Sequence, residues 1–337
     1  MTKSSTIVER LVIPHQAFAA AHQQIGQCFA YAVSKAEAEG LAIVGESGTG
    51  KTSVLKAFRS DHLPTRGQDG MMVPVLSATV PSGPTVKSLA GVMLAALSDP
   101  DPEKGTENEK TRRLRALIKN TETRLVMIDE FQHFFDRGKH TVMHHVADWL
   151  KVLIDDTRTT LVVAGLPSCT CVIDQNEQLA RRFLAPIRLP RFIWRDSTHR
   201  KQFKSVLGSF GEEIGKCYDT PDLDTDDMAF RFYCATGGLI GYLAKLLRQT
   251  LRNADVSKGR TIHLEDFALA HEQSIWCKQF VPGLPRPFER GFDLTQTEDV
   301  LNLVLQIGTV PEGLPVNSAP SRAKAHLTSI NSRLVTG

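Results

Sequence analysis

The 337-residue sequence is poor in cysteine and aromatic residues and has no long apolar run. Its six cysteines form no C-x-x-C pair, which argues against a disulfide framework and against zinc-ribbon spacing. Cys169 and Cys171 are the one close pair, and loop thiols suit them better than a metal site. No stretch approaches the ~18 apolar residues that a membrane-spanning helix needs, so no membrane partner is expected. The opening MTKSSTIVERLV lacks the layout of a secretory signal, and a cytoplasmic protein is expected. Neither sign of charge dominates. A formal net charge of +3 permits a polyanionic partner without requiring one. What is present is ordinary for a soluble chain, at 42% hydrophobic and 23% charged residues. That is enough for a real core, and the length suggests two compact units or one with appendages.

One stretch organises the rest: Leu41-Ala-Ile-Val-Gly-Glu-Ser-Gly-Thr-Gly-Lys-Thr52. It has the form G-x-x-x-x-G-K-[ST], preceded by an apolar strand pattern and followed by helical spacing from Ser53 to Arg59. Each residue type has a task. The glycines Gly45, Gly48 and Gly50 let backbone N–H groups of Glu46, Ser47, Thr49 and Ser53 turn toward phosphate oxygens, at the positive end of a helix. Lys51 is placed to reach the β- and γ-phosphates of ATP, and the Thr52 hydroxyl to ligate Mg²⁺.

A second stretch completes the chemistry. In Arg124-Leu-Val-Met-Ile-Asp-Glu130, a buried strand delivers two carboxylates at its carboxyl end, where open α/β sheets bind ligands. Asp129 is expected to hold the water shell of Mg²⁺, and Glu130 to polarise the attacking water. Adjacent acids are a weak signal alone, but a strong one after a phosphate loop with a helix–strand unit between.

The chain around these motifs reads as alternating helices and strands. Phe18 to Val33 is a helix expected to pack on the first strand. Met71 to Leu76 reads as a second strand that Pro74 moves toward a sheet edge. A helix follows from Thr85 to Leu97, and residues 98–109 read as a polar loop. Lys110 to Asn120 reads as a basic helix, His140 to Ile154 as a histidine-rich one, and 159–165 as a buried strand. His140 and His144 have i, i+4 spacing that could seat a metal, but helix-surface histidines suit them better. The helix ending in Gln178-Leu-Ala-Arg-Arg-Phe183 precedes a short strand at 186–190.

Several segments together resemble one known family: Ile128-Asp-Glu-Phe-Gln-His133, Trp149-Leu-Lys151, Val163-Ala-Gly-Leu-Pro167 and Gln178 to Phe183. In this order the chain resembles an AAA+ ATPase, and within that superfamily the TniB/TnsC ATPases of transposons, relatives of MuB. The resemblance covers about residues 10–275. It implies an AAA+ core, a parallel sheet sandwiched by helices, over 40–190, with residues 1–39 as a helical segment packed on it. A small helical lid would occupy 191–276; beyond the resemblance, the proline-rich composition from Cys277 onward reads as a flexible, partner-docking tail over 277–337. In that tail, one helix from Thr295 to Ile307 opens on the capping pattern Thr295-x-x-Glu298.

The resemblance also implies roles. Arg182, with Arg181 as the alternative, matches the finger that reaches a neighbouring subunit's γ-phosphate and makes hydrolysis depend on assembly. Two departures stand out. Gly165-Leu166 replaces the polar sensor after the last long strand, leaving Ser168 as a substitute, and no arginine occurs between Gly238 and Leu243 in the lid. Both point to a slow ATPase used as a switch. The resemblance implies a homo-oligomer, a ring or helical filament, on duplex DNA, with a transposase as client. A TniQ/TnsD-type selector or an RNA-guided complex would supply the target. Candidate DNA contacts are Thr85, Lys87, Thr111 and Arg112, facing phosphates and thus strongly salt-dependent; a solvated helix face is the plainer account of such residues. A loader or initiator of the AAA+ class and a signalling NTPase that gates protein partners remain open at this point, with a small-molecule kinase more distant.

Overall fold

Uninterrupted apolar runs bounded by turns become the strands of one parallel sheet. The computed structural model describes residues 7–8, 11, 13–32, 39–68, 70–136, 140–257, 260–275 and 283–309. The strands are β1 (Gly40–Val44), β2 (Thr65–Arg66), β3 (Met71–Met72), β4 (Val75–Thr79), β5 (Leu125–Asp129), β6 (Thr160–Gly165) and β7 (Ile187–Arg188). The main sheet has the order β4-β5-β6-β1-β7, with every pairing parallel. β1, β5 and β6 are buried along their whole length, as a parallel sheet covered on both faces requires.

Alternate residues of those strands serve opposite faces. Ala42, Val44, Val126, Ile128, Leu161 and Val163 join one core. It is covered by α3 (Val86–Ala96), α4 (Glu107–Asn120) and α6 (His140–Thr157), which together with the short α5 (His133–Asp136) follow α1 (Gln16–Tyr31) and α2 (Lys51–Asp61) in the chain. Leu41, Ile43, Leu125, Met127, Val162 and Ala164 join the other core with Phe18 and Ile25 of α1 and Val54 and Phe58 of α2. The first helix therefore packs where the sequence predicts; Val33, its expected last residue, lies outside the described residues.

Pro74 acts as expected and also does more. It leaves β4 at the sheet edge. Lacking an N–H, it also splits the anticipated strand 71–76, because β4 can start only after it. Its carbonyl accepts from the N–H groups of Arg124 (3.0 Å) and Leu125 (3.2 Å), while β3 pairs with β2 in a separate hairpin. The helix α4 begins before the expected Lys110. Thr106 and Glu109 form a reciprocal cap, with the Thr106 N–H donating to Glu109 Oε2 at 2.7 Å, which satisfies first-turn donors.

After β6 come a 3₁₀ turn (Pro167–Cys169), α7 (Thr170–Ile173) and α8 (Glu177–Ala180), then the lid helices α9 (Ser197–Gly215), α10 (Asp226–Thr236), α11 (Ile240–Ser257) and α12 (Leu264–Ser274). Their apolar faces make a third core that includes Trp194, Phe203, Phe230 and Phe267. The boundary drawn at 277 needs correction. Phe288, Leu301, Val304 and Ile307 are all buried in this lid core, so residues 283–309 are packed structure; residues 277–282 and 310–337 lie outside the described residues. The tail helix, α13 (Glu298–Val304), is capped by Thr297. The Thr295–Glu298 pattern is diverted, because the Thr295 hydroxyl donates to Asp293 and Glu298 is held by Arg195.

Candidate functional site

The phosphate loop runs from the end of β1 to the start of α2. Gly48 and Gly50 have φ of +82° and +99°, a backbone region glycine enters without strain. Gly45 is fixed by space instead. A Cβ there would lie 2.4 Å from the carbonyl oxygen of Leu189 and 2.8 Å from Thr49 Oγ1. Thr49 is buried and its hydroxyl donates to the Glu46 carbonyl at 2.9 Å, so it shapes the loop from beneath. Ser47, Gly48, Gly50, Lys51, Thr52, Ser53 and Glu130 line a cavity of about 980 Å³.

Lys51 is buried, and its ammonium donates to the carbonyls of Gly45 (2.8 Å) and Glu46 (2.7 Å). Burial lowers its pKa, an effect the carboxylates of Glu130 and Asp129 oppose. The Thr52 hydroxyl donates to Asp129 Oδ2 at 2.7 Å. The fold thus brings the metal-binding residues expected of the two motifs into contact across 77 positions of sequence. Two hard oxygens this close suit Mg²⁺, and the cavity-lining Gly48 and Gly50, with an ammonium beside them, suit a polyphosphate.

Glu130 sits just past β5 with φ of +56°, a strained region for a residue with a side chain and common at functional positions. Gln132 Nε2 donates to Glu130 Oε2 at 2.5 Å, and Gln132 Oε1 accepts from the Leu166 N–H at 3.2 Å. Gln132 accounts for the absent sensor. A Cβ on Gly165 would lie 2.4 Å from Gln132 Oε1, so the glutamine fills the space a polar residue at 165 would need. Ser168, the expected substitute, lies in the 3₁₀ turn and is not among the cavity-lining residues. Buried Cys169 lies in the same turn, and burial pushes its thiol up to about 12.

The rest of the cavity is lined by Val8, Leu11, Ile13, His15 and Phe18 before the core, and by Phe210, Ala244 and Arg248 from the lid. Its apolar end suits a planar base. Burial, with His199 nearby, lowers the pKa of His15 to about 4, so its imidazole is neutral at physiological pH. The lid also supplies an arginine that the sequence reading missed. No arginine lies between Gly238 and Leu243, but Arg248, about two turns into α11 at 3.6 residues per turn, lines the same cavity.

The remaining candidates sit in four different settings. Arg182 pairs with Asp155 of α6 at 2.7 Å, and Arg181, 76% exposed, pairs with Glu177. Thr85, Lys87 and Arg112 are exposed, Thr85 as the cap of α3. Thr111 is not available as a DNA contact. It is buried, its hydroxyl donates to the Glu107 carbonyl at 2.8 Å and accepts from Trp149 Nε1 at 3.0 Å; it joins α4 to α6. The Glu46 carboxylate accepts from Arg191 Nε at 2.9 Å.

The family model described as bacterial TniB protein matches residues 3–194. No curated protein matches. Among solved structures, Cdc6p of Pyrobaculum aerophilum is similar at TM-score 0.59 and 14% identity, covering 83% of this chain and 74% of that one. The ORC2 protein of Aeropyrum pernix aligns at 0.57 and 12%, over 82% and 74%. The ORC1 protein of the same organism, solved in complex with DNA, aligns at 0.56 and 15%, over 80% and 69%. At these identities the likeness is one of fold, the AAA+ arrangement of sheet, flanking helices and helical lid.

Proposed function

Because the chain belongs to the TniB family of bacterial proteins, we infer that it is an ATP-dependent, DNA-binding AAA+ regulator of transposition. It assembles on duplex DNA as a ring or helical filament, marks a target site, and recruits or activates a transposase, with slow ATP hydrolysis as the switch. A target selector of TniQ/TnsD type or an RNA-guided complex loads it. The observation that carries the nucleotide chemistry is the Thr52–Asp129 contact at 2.7 Å beside the Lys51 cradle.

The residues divide the work. Backbone N–H groups of 46–52 and the Lys51 ammonium bind the phosphates, while Thr52 and Asp129 hold Mg²⁺. Bound Mg²⁺ supplies charge neutralisation to the phosphate oxygens. Glu130 accepts a proton from water at its Oε atoms, held in place by Gln132. Arg182 is the finger in trans; its present partner Asp155 has to release it at a subunit contact, which ties hydrolysis to assembly. Without a polar sensor at 165, turnover stays slow, below about 1 per second, at the low end of enzyme rates. Thr85, Lys87 and Arg112 approach DNA phosphates, which gives salt-dependent binding with little sequence preference.

Electron microscopy of the purified protein with duplex DNA, with and without a slowly hydrolysed ATP analogue, tests this reading. Rings or filaments are expected only with nucleotide, and Lys51→Ala should abolish them. Nucleotide binding without any DNA-dependent assembly would refute it in favour of a signalling NTPase that gates protein partners.

A further inference from the structure

Arg191 belongs to none of the motifs, yet it is one of the few buried cations among the described residues, at 5% exposure. It follows β7 and reaches three separate parts of the chain. Its Nε donates to Glu46 Oε2 at 2.9 Å, and Nη2 makes a second contact with the same oxygen. Nη1 donates to the carbonyls of Leu305 (2.9 Å), Ile307 (3.0 Å) and Gly237 (3.3 Å). Leu305 and Gly237 are the C-caps of α13 and α10, where helices leave carbonyls without internal partners.

A second connection runs beside the first. The Gly241 N–H donates to the Gly48 carbonyl at 2.8 Å. On the far side of the same turn, a Cβ on Gly308 would lie 2.6 Å from Leu239 Cδ1. Residues 237–241 are therefore clasped between the phosphate loop and the end of α13.

We propose that Arg191 is a positioning residue that couples the phosphate loop to the docking of residues 298–307, so that a bound nucleoside triphosphate tightens α13 against the lid. The proposal rests on the nucleotide reading above. The Lys51 ammonium donates to the Glu46 carbonyl, so the lysine expected to meet phosphate and the Glu46–Arg191 pair share one residue of the loop. When Lys51 turns to phosphate, a polyanion stands beside the Glu46 carboxylate. That carboxylate then depends on Arg191 for compensation, and the added negative charge holds the buried guanidinium more firmly. The same guanidinium grips the carbonyls of 305 and 307, so the end of α13 tightens with it.

Hydrogen exchange read by mass spectrometry on the full chain tests this, with and without Mg²⁺ and a slowly hydrolysed ATP analogue. A fluorescent ATP analogue is titrated into the same samples, for wild type, Glu46→Gln and Arg191→Lys. Amides of 298–307 in the wild type are expected to exchange about tenfold more slowly with nucleotide, the scale of one charge-assisted hydrogen bond. In both variants, each at its own saturation, the nucleotide-dependent change should fall below about twofold. A residue that merely braces the fold would alter exchange equally with and without nucleotide. Wild type that binds nucleotide with no change across 298–307, or Glu46→Gln responding as fully as wild type, would overturn the coupling alone. Wild type that binds no nucleotide would overturn both readings. Should Arg191→Lys fail to fold, Glu46→Gln carries the test, because its side chain is 48% exposed.

Discussion

Lys51→Ala should weaken ATP binding by about 100-fold while moving the melting temperature of the nucleotide-free protein by only a few degrees. The ammonium is buried and donates to two neutral carbonyls at 2.8 and 2.7 Å. Those bonds offset its loss of water, so removing charge and bonds together costs only about 1 kcal/mol net. On nucleotide binding the same ammonium exchanges neutral partners for charged phosphate oxygens. Bonds between two charged groups exceed charge-to-neutral ones by about 1.5 kcal/mol each, so two of them give roughly 3 kcal/mol, or about 150-fold. There is a matching pH signature. Burial lowers the Lys51 pKa below its ordinary 10.5 and phosphate raises it, so wild-type affinity falls as the solution is made alkaline, whereas the variant shows no such fall. Titration with a fluorescent ATP analogue and a thermal melt on the same samples measure both quantities. Affinity within about threefold of wild type, or a melting point lowered by more than about 10 °C, would refute the exchange argument.

Gly238→Ala should destabilise the fold by about 3 kcal/mol or more in denaturant titration, because the residue has φ of +72° and its Cβ would lie 2.1 Å from the Phe192 carbonyl oxygen. His15 predicts an acid limb in stability. Its pKa is lowered from 6.5 to about 4, so between these values the unfolded chain takes up a proton that the fold refuses, and stability present above pH 6.5 is lost on the way down. The loss amounts to at most about 3 kcal/mol, and unfolding curves of His15→Phe should lack it. Arg182→Ala should lower turnover by about 10³-fold at assembling concentrations with nucleotide affinity retained; the same loss from Arg181→Ala alone would move the finger by one residue.

The phosphate loop, the acid pair and the sheet were legible because each is local. A strand that is apolar throughout, a turn that only glycine fits and a carboxylate at a strand end leave their mark in consecutive residues. What escaped is what the fold assembles from afar. Thr111 shares a polar, basic-looking segment with Arg112, but helical rotation carries it to the interior, where the Trp149 indole N–H finds it. Gln132 stood within a quoted motif; its service to Glu130 and Leu166 needs β5 and β6 side by side. The Thr106–Glu109 cap was readable and lay hidden in a stretch that read as loop. Arg248 needed the lid's position over the core, and Arg191 needed four groups from three segments.

The segment matched by the family model ends at residue 194, whereas the folding unit does not. Trp194 packs against Phe230 and Tyr233 with ring centroids 5.2 and 5.1 Å away, and its indole N–H donates to Gln296 at 2.8 Å. A fragment cut at that boundary would present Phe192 and Trp194 to water and leave the Arg191 cation facing the carboxylate of Glu46 with no carbonyls behind it. Sequence kinship and cooperative folding therefore draw different borders on this chain. Expression work on it should keep everything through residue 309, because α13, the last helix among the described residues, is packed into the lid core.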